Sequence, residues 1–280
     1  MQPGASDVLL SRSRSGRVPD TRPGARLRQG PAGAARGEIV VGDVTRPDAL
    51  PAAVAGIDAV VFTLGSDGAG RMGAETVDYG GVRNVLIALG AQPARIALMT
   101  SIGVTNRAGA YNQATEAHDW KRRSERLVRA SGRPYTIVRP GWFDYNQRDE
   151  LRLVLLQGDT RWAGDPSDGA VARRQIAQVL VRSLGSDAAV RKTFELVAER
   201  GPAPEDFDIL FAPLQADPHG SLDGAHDVKN MPLTDEPQQV RDELRELRGS
   251  GRHRGRQART DPDHGRTYNA VFPGDRVATT

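Results

Sequence analysis

From Glu38 onward, short runs of almost continuously apolar residues alternate with stretches of helical period, and that order restricts the fold more than any other feature of the chain. The runs are EIVVG (38–42), IDAVVFT (57–63), RIALMTS (95–101), PYTIVRP (134–140) and TFELVA (193–198). A strand with one wet face would alternate apolar and polar residues. These do not, so each is expected to be covered by helices on both faces, as parallel strands in α/β proteins are. The intervening stretches predict four helices. The first is opened by Thr45 and Asp48 as a capping box and runs through Ala55, with Pro47 in its first turn; the others run over 75–89, 115–130 and 173–184. Gly90 and Gly132 stand where the second and third should stop. The prediction is a doubly wound parallel sheet of Rossmann-like type over residues 38–200.

The ends of the chain do not follow this pattern. Over residues 1–37 only VLL (8–10) is strand-like, and no window of helix or strand length is periodic, so this part is expected to be irregular, with the first βαβ unit degraded or absent. Beyond the sheet, DFDILFAPL (206–214) and EPQQVRDELRELR (236–248) predict two short amphipathic helices in a small C-terminal part, 201–248. Residues 249–280 are polar and arginine-rich and are expected to form a disordered tail. At 280 residues the chain can bury roughly three quarters of its unfolded surface, which suits one large domain.

Composition narrows the function classes. No apolar run approaches the ~20 residues of a membrane span. The N-terminal arginines follow a very short apolar patch, the wrong order for a secretory signal, so a cytoplasmic protein is expected. There are no cysteines, which removes disulfides, thiolate metal sites and cysteine nucleophiles. His118, His219, His226, His253 and His264 lack metal-site spacing, so no metal is expected. Of 38 basic residues only Lys121, Lys192 and Lys229 are lysines, and 35 acids balance them to a net charge of +3. The basic clusters at 12–28 and 249–259 carry no interleaved aromatics, which argues against nucleic acid as a partner.

Six segments taken in order, VVGDVTRPDAL, GIDAVVFTLGS, VDYGGVRNVLIAL, RIALMTSIGV, HDWKRRSERLVRASGRPYTIVRPGWF and RRQIAQVLVRSL, resemble the short-chain dehydrogenase/reductase superfamily in its atypical, NmrA-like branch. The resemblance implies NAD or NADP as cofactor, a small carbonyl or hydroxyl compound as substrate, hydride transfer as the reaction, and a homodimer as the assembly. It implies that Ser101, at the end of an apolar strand, bonds the reacting oxygen of the substrate; a hydroxyl both donates and accepts, although serine also ends strands for local turn reasons. Lys121 matches the lysine of a YxxxK motif that binds the nicotinamide ribose; read without the motif it is a surface lysine paired with Glu125. Asp43 would lie near the adenine, or cap a turn. Thr63, Leu64 and Gly65 would meet the adenosine half with their backbone, or simply turn the chain. Pro140 and Gly141 would lie beside the nicotinamide, with Trp142 and Phe143 near the substrate. Asp78, Tyr79 and Asn84 match the pattern of the second helix, where packing explains them equally well.

Two departures stand against this pattern. The position four before Lys121 is Ala117, not tyrosine, and a methyl group donates no proton; His118, Tyr111, Tyr145 or water would have to serve in its place. The GxxGxxG turn is also missing from residues 1–37, and the abrupt start of the resemblance at Glu38 suggests a misplaced start or shifted frame. Three readings follow: an oxidoreductase without the tyrosine, a non-catalytic dinucleotide sensor, and a truncated inactive member.

Overall fold

The computed structural model describes residues 7–11, 42–66 and 68–257. Most of the EIVVG run lies outside these residues. Within them, β1 (Asp7–Ser11) is followed by a 3-10 turn at Pro47–Ala49 and by α1 (Leu50–Val54), β2 (Ala59–Thr63) and α2 (Gly70–Gly73). A π-helical segment, Ala74–Tyr79, joins α2 to α3 (Gly80–Ala88) without a break. Next come β3 (Arg95–Met99), α4 (Ala110–Thr115), α5 (Ala117–Ala130), β4 (Tyr135–Pro140), β5 (Trp142–Phe143), β6 (Arg152–Leu156) and β7 (Ala170–Val171). The chain continues with α6 (Arg173–Gly185), β8 (Lys192–Glu199), α7 (Phe207–Phe211) and α8 (Gln238–Gln257).

The main sheet has the order β1-β2-β3-β4-β8-β6, and β5 pairs with β7 in a separate two-stranded piece. Its centre, β2, β3, β4 and β8, is parallel, and both edge strands, β1 and β6, run antiparallel to their neighbours. The α/β sheet with parallel centre is as the sequence predicts. β1 forms from the VLL stretch inside the segment expected to be irregular, and it occupies the edge beside β2 as an antiparallel strand. No parallel strand precedes β2 among the described residues. Strand β6, formed by RLVLL, had no reading in the sequence analysis. It pairs with β8 on one side only, and three of its five residues are half-buried.

Strand residues alternate between two cores, because successive side chains point to opposite faces. Val60, Phe62, Ile96, Leu98 and Ile137 pack into the core formed with α1, α3 and α5. Val61, Ala97, Val138, Phe194 and Leu196 pack into the core beneath α6 and α7. Gly90 (φ +50°) and Gly132 (φ +66°) end α3 and α5 in the left-handed region, as their positions predicted. The expected capping box at Thr45 does not form. Thr45 instead donates its N–H and hydroxyl to Asp43 Oδ1, at 2.8 and 2.7 Å, and the helix start at Arg46 has no side-chain cap.

Helix α5 is the unexpected element. Its sequence, AHDWKRRSERLVRA, is strongly polar, yet every residue except His118 and Lys121 is buried. Residues 217–236 cover its arginines with acids and carbonyls. Arg122 bonds Asp223 (3.2 Å) and the Val228 carbonyl (2.7 Å), and Arg123 bonds Glu236 (2.6 Å). Arg126 reaches Asp223 (2.8 Å), Glu236 (3.1 Å) and the Met231 carbonyl (2.6 Å), and Arg129 reaches Asp217 (3.0 Å). Val240, Leu244 and Leu247 of α8 then join the same core as α5, and Glu243 accepts from Tyr79 Oη and pairs with Arg83 (2.8 Å). Helix α8 continues to Gln257, past the start of the expected tail.

At the centre lies Arg139, wholly buried on β4. It forks onto Glu125 (2.9 and 2.7 Å) and Asp227 (2.7 and 2.8 Å) and touches Glu195 (3.2 Å). Planar, bidentate recognition of two carboxylates is a task for guanidinium that a single ammonium cannot perform. Arg139→Ala is expected to destabilise the fold by about 3–5 kcal/mol, since it strands buried carboxylates. Arg139→Lys should recover only a minor part of this loss, as read by urea unfolding followed through tryptophan fluorescence.

Candidate functional site

The four parallel strands place their carboxyl ends on one edge of the sheet, where ligands bind in open α/β folds. The loop after β3 and the first turn of α5 come together there. The loop after β3 carries Thr100 and Ser101. Thr100 Oγ1 donates to Glu125 (2.8 Å) and so belongs to the Arg139 network. Ser101 Oγ is buried and has no hydrogen-bond partner. Gly103 (φ +77°) then folds the loop onto α5, and a Cβ placed on it would lie 3.7 Å from His118 Cε1.

Lys121 does not pair with Glu125, whose carboxylate is taken up by Arg139 and Arg129. Its ammonium instead meets Asp78 Oδ1 at 2.5 Å. Asp78 is buried in the π-helical segment, and its other oxygen has no partner. Single π-turns are uncommon and cluster at functional sites. Here the extra residue in the turn accompanies the presentation of a buried carboxylate to the lysine.

Ala117 is 4% exposed and packs in the same core as Ala74, Tyr79 and Trp120, so the place of the missing tyrosine is filled by close packing. His118, next to it, has Nδ1 buried without a partner and packs at a tilt of 59° against the exposed Tyr111 ring, 5.1 Å between centroids. Burial, reinforced by the Lys121 charge, pushes the His118 imidazole down to about 4. At neutral pH it is an uncharged ring that exchanges hydrogen bonds, not an imidazolium acid. Tyr145 is exposed and packs edge-on against Trp142 at 5.9 Å.

The structure thus brings Ser101, His118 and Lys121 to one edge, with Asp78 behind the lysine. The other residues singled out in the sequence have their own surroundings. Asp43 is exposed, and its hydrogen bonds from Thr45 hold its carboxyl below the usual range. Asn84 ties this turn to α3 by donating to the Val44 carbonyl (3.0 Å). Thr63 ends β2, and the Leu64 side chain is buried, so the Leu64–Gly65 stretch can offer a ligand only backbone. Gly81 lets α3 approach Leu64 closely, since a Cβ there would come within 2.8 Å of Leu64 Cδ1. Pro140 ends β4, and a Cβ on Gly141 would run into the Gly169 carbonyl, so close approach of the β7 segment accounts for that glycine. Trp142 and Phe143 are half-buried in β5, and Arg173 stacks over the Phe143 ring at 5.3 Å.

Sequence reasoning missed Asp159, which accepts from Gly103 N (2.6 Å) and Thr105 N (2.7 Å), and Asp119, which Arg107 grips twice at 3.0 Å. Nothing local flags Asp159, because Gly103 and Thr105 lie more than fifty residues before it. Among the described residues no cluster of His, Asp or Glu could hold a metal ion, and no helix is long and apolar enough to cross a membrane.

Buried polar groups without partners cost ~1–3 kcal/mol each, so Ser101 Oγ, His118 Nδ1 and the free oxygen of Asp78 are groups a ligand could satisfy.

A model of the NAD(P)H-binding family matches residues 21–187. The chain is 29% identical to a chloroplastic protein of Arabidopsis thaliana over 62% of this chain and 60% of that one. It is 31% identical to sanguinarine reductase of Eschscholzia californica over 33% of this chain and 34% of that one. The chain therefore spans less than two thirds of either relative. Among solved structures it is similar to a wide-type short-chain dehydrogenase/reductase from Veillonella parvula in complex with NADP, with 16% identity, TM-score 0.42, and coverage of 59% of this chain and 75% of that one.

The lowered His118 value has a stability consequence with a definite sign. The unfolded ring binds a proton near its ordinary value while the folded ring does not, so stability present above about pH 6.5 is lost as pH falls towards 4. His118→Gln should remove this contribution, giving a shallower fall in thermal midpoint between pH 6.5 and 4.5 than the parent shows.

Proposed function

Because the chain belongs to the NAD(P)H-binding family, we propose that the carboxyl edge of its sheet holds NAD or NADP and that the protein is an oxidoreductase acting on a small carbonyl or hydroxyl compound. The observation that carries this reading is the partnerless, buried Ser101 hydroxyl beside the loop that covers His118, with Lys121 restrained by Asp78. Lys121 would bond the ribose hydroxyls next to the nicotinamide, and its pairing with Asp78 removes much of the freedom a lysine otherwise loses on binding. Asp43 and the backbone of Thr63, Leu64 and Gly65 would line the adenosine half. Pro140 and Gly141 would border the nicotinamide. When bound, the dinucleotide supplies or accepts a hydride.

Ser101 would orient the substrate oxygen, since its hydroxyl both donates and accepts and nothing else in the fold uses it. Ala117 moves no proton. His118 is uncharged at neutral pH, so it can hold an oxygen by a hydrogen bond, and the proton for a reduced carbonyl would arrive through water or Tyr111.

The second reading is a protein that binds the dinucleotide without turning it over. The packed methyl of Ala117 at the acid's position favours it.

Titration with NADPH and NADH, followed by tryptophan and nucleotide fluorescence, tests both readings. Saturable binding is expected, with at least a tenfold weakening in Lys121→Ala; affinity unchanged by that substitution would remove the proposed site. A panel of aldehydes and ketones then separates the two readings. Turnover lost in Ser101→Ala supports the oxidoreductase, and binding with no turnover at all supports the sensor.

A further inference from the structure

The loop that follows Ser101 is held from across the molecule. Asp159, wholly buried, accepts three hydrogen bonds from it on its carboxylate: Gly103 N–H on Oδ1 (2.6 Å), and Thr105 N–H (2.7 Å) and hydroxyl (2.8 Å) on Oδ2. Its own backbone sits at φ +50°, in the left-handed region that aspartate adopts more readily than most residues. Asp159 N–H donates to Glu195 Oε2 (3.1 Å), and Glu195 Oε1 accepts from Arg139 (3.2 Å). The buried ion network therefore reaches the loop through one carboxylate.

On its other side the loop approaches His118 at Gly103, where a Cβ built on the glycine would lie 3.7 Å from the imidazole Cε1 and 3.9 Å from the Arg161 carbonyl. We infer that Asp159 is a positioning residue of the candidate site: it holds residues 103–105 down on His118, so that the Ser101 hydroxyl and the imidazole are presented together and screened from bulk water. The functional weight of this device rests on the oxidoreductase or dinucleotide-binding reading. The geometry itself does not.

His118 reports on the loop. The groups that face it are Lys121 and Asp119 of its own helix, the Tyr111 ring from α4, and the loop with the Arg161 carbonyl. Only the last is under Asp159's control, so a change in the imidazole's titration in Asp159→Asn would come from the loop. Burial is the largest cause of its lowered value, so admitting water would raise it.

The test is a histidine-ring NMR titration of the full chain without ligand, from pH 8 to 4.5, with the His118 signal identified by its absence in His118→Gln. Asp159→Asn keeps the side chain's size but replaces an acceptor with a donor, leaving a loop N–H unserved. In the parent, His118 is expected to show no midpoint above pH 5. In Asp159→Asn its midpoint should rise by about one pH unit or more. Thr105→Val, which removes only the hydroxyl's two bonds to Asp159, should show a smaller rise in the same direction, and it decides the matter if Asp159→Asn does not fold. A folded variant whose His118 titrates as in the parent would overturn the assignment. Because no nucleotide is present, that failure is distinct from a failure to bind NADPH, which would remove the functional reading and leave the loop's anchoring intact.

Discussion

The guanidinium of Arg139 joins a central strand, helix α5 and the C-terminal segment at one buried point. It is carried by a central strand and grips Glu125 of α5, Asp227 of the C-terminal segment and Glu195 of the neighbouring strand, all of them buried. Removing such charges from water is expensive, and the geometry repays it only when every donor is used. Bonds from Nε and from both terminal nitrogens meet this condition here. The surrounding values reflect the competition. Burial pushes Glu195 up to about 7 against the pull of Arg139, whereas for Asp227 the same pull outweighs burial and holds the carboxyl low. One strand, one helix and one long C-terminal segment are thereby fixed in a single arrangement.

The candidate site hangs on that arrangement. Glu125 orders Thr100, one residue before Ser101, and Glu195 orders Asp159, which holds the loop after it. The loop that presents Ser101 is thus tied to the network on both sides, while the Ser101 hydroxyl itself is left free. Asn230 adds a third tie by donating to the Thr105 carbonyl (2.9 Å), so the C-terminal segment closes a core and braces the site at once. A short loop held this way keeps a reacting group in place at little entropic cost on binding.

The chemistry open to the site is bounded by Ala117 and His118. A packed methyl and an uncharged imidazole leave it able to orient an oxygen by hydrogen bonds but without a strong proton donor at neutral pH. Lys121 supplies positive charge, tempered by Asp78.

How much of this was legible depends on the range of the interaction concerned. The apolar runs at 57–63, 95–101, 134–140 and 193–198 and the glycine stops at 90 and 132 gave the parallel centre and its helices, because strand and helix periods are written in neighbouring residues. Ser101 and Lys121 were legible as positions, since each lies at the end of a periodic element. Their surroundings were not. That Lys121 pairs with Asp78 rather than Glu125, that Ala117 is sealed into the core, and that an arginine-rich helix is buried all depend on partners 43 to 113 residues away along the chain. A row of arginines reads the same on a wet face as against a row of acids. The sequence by itself therefore determined the layers of this protein. Which charges are paired, which hydroxyl is left free, and what holds the loop beside it were decided only when tertiary folding removed those groups from water and forced each to find a partner.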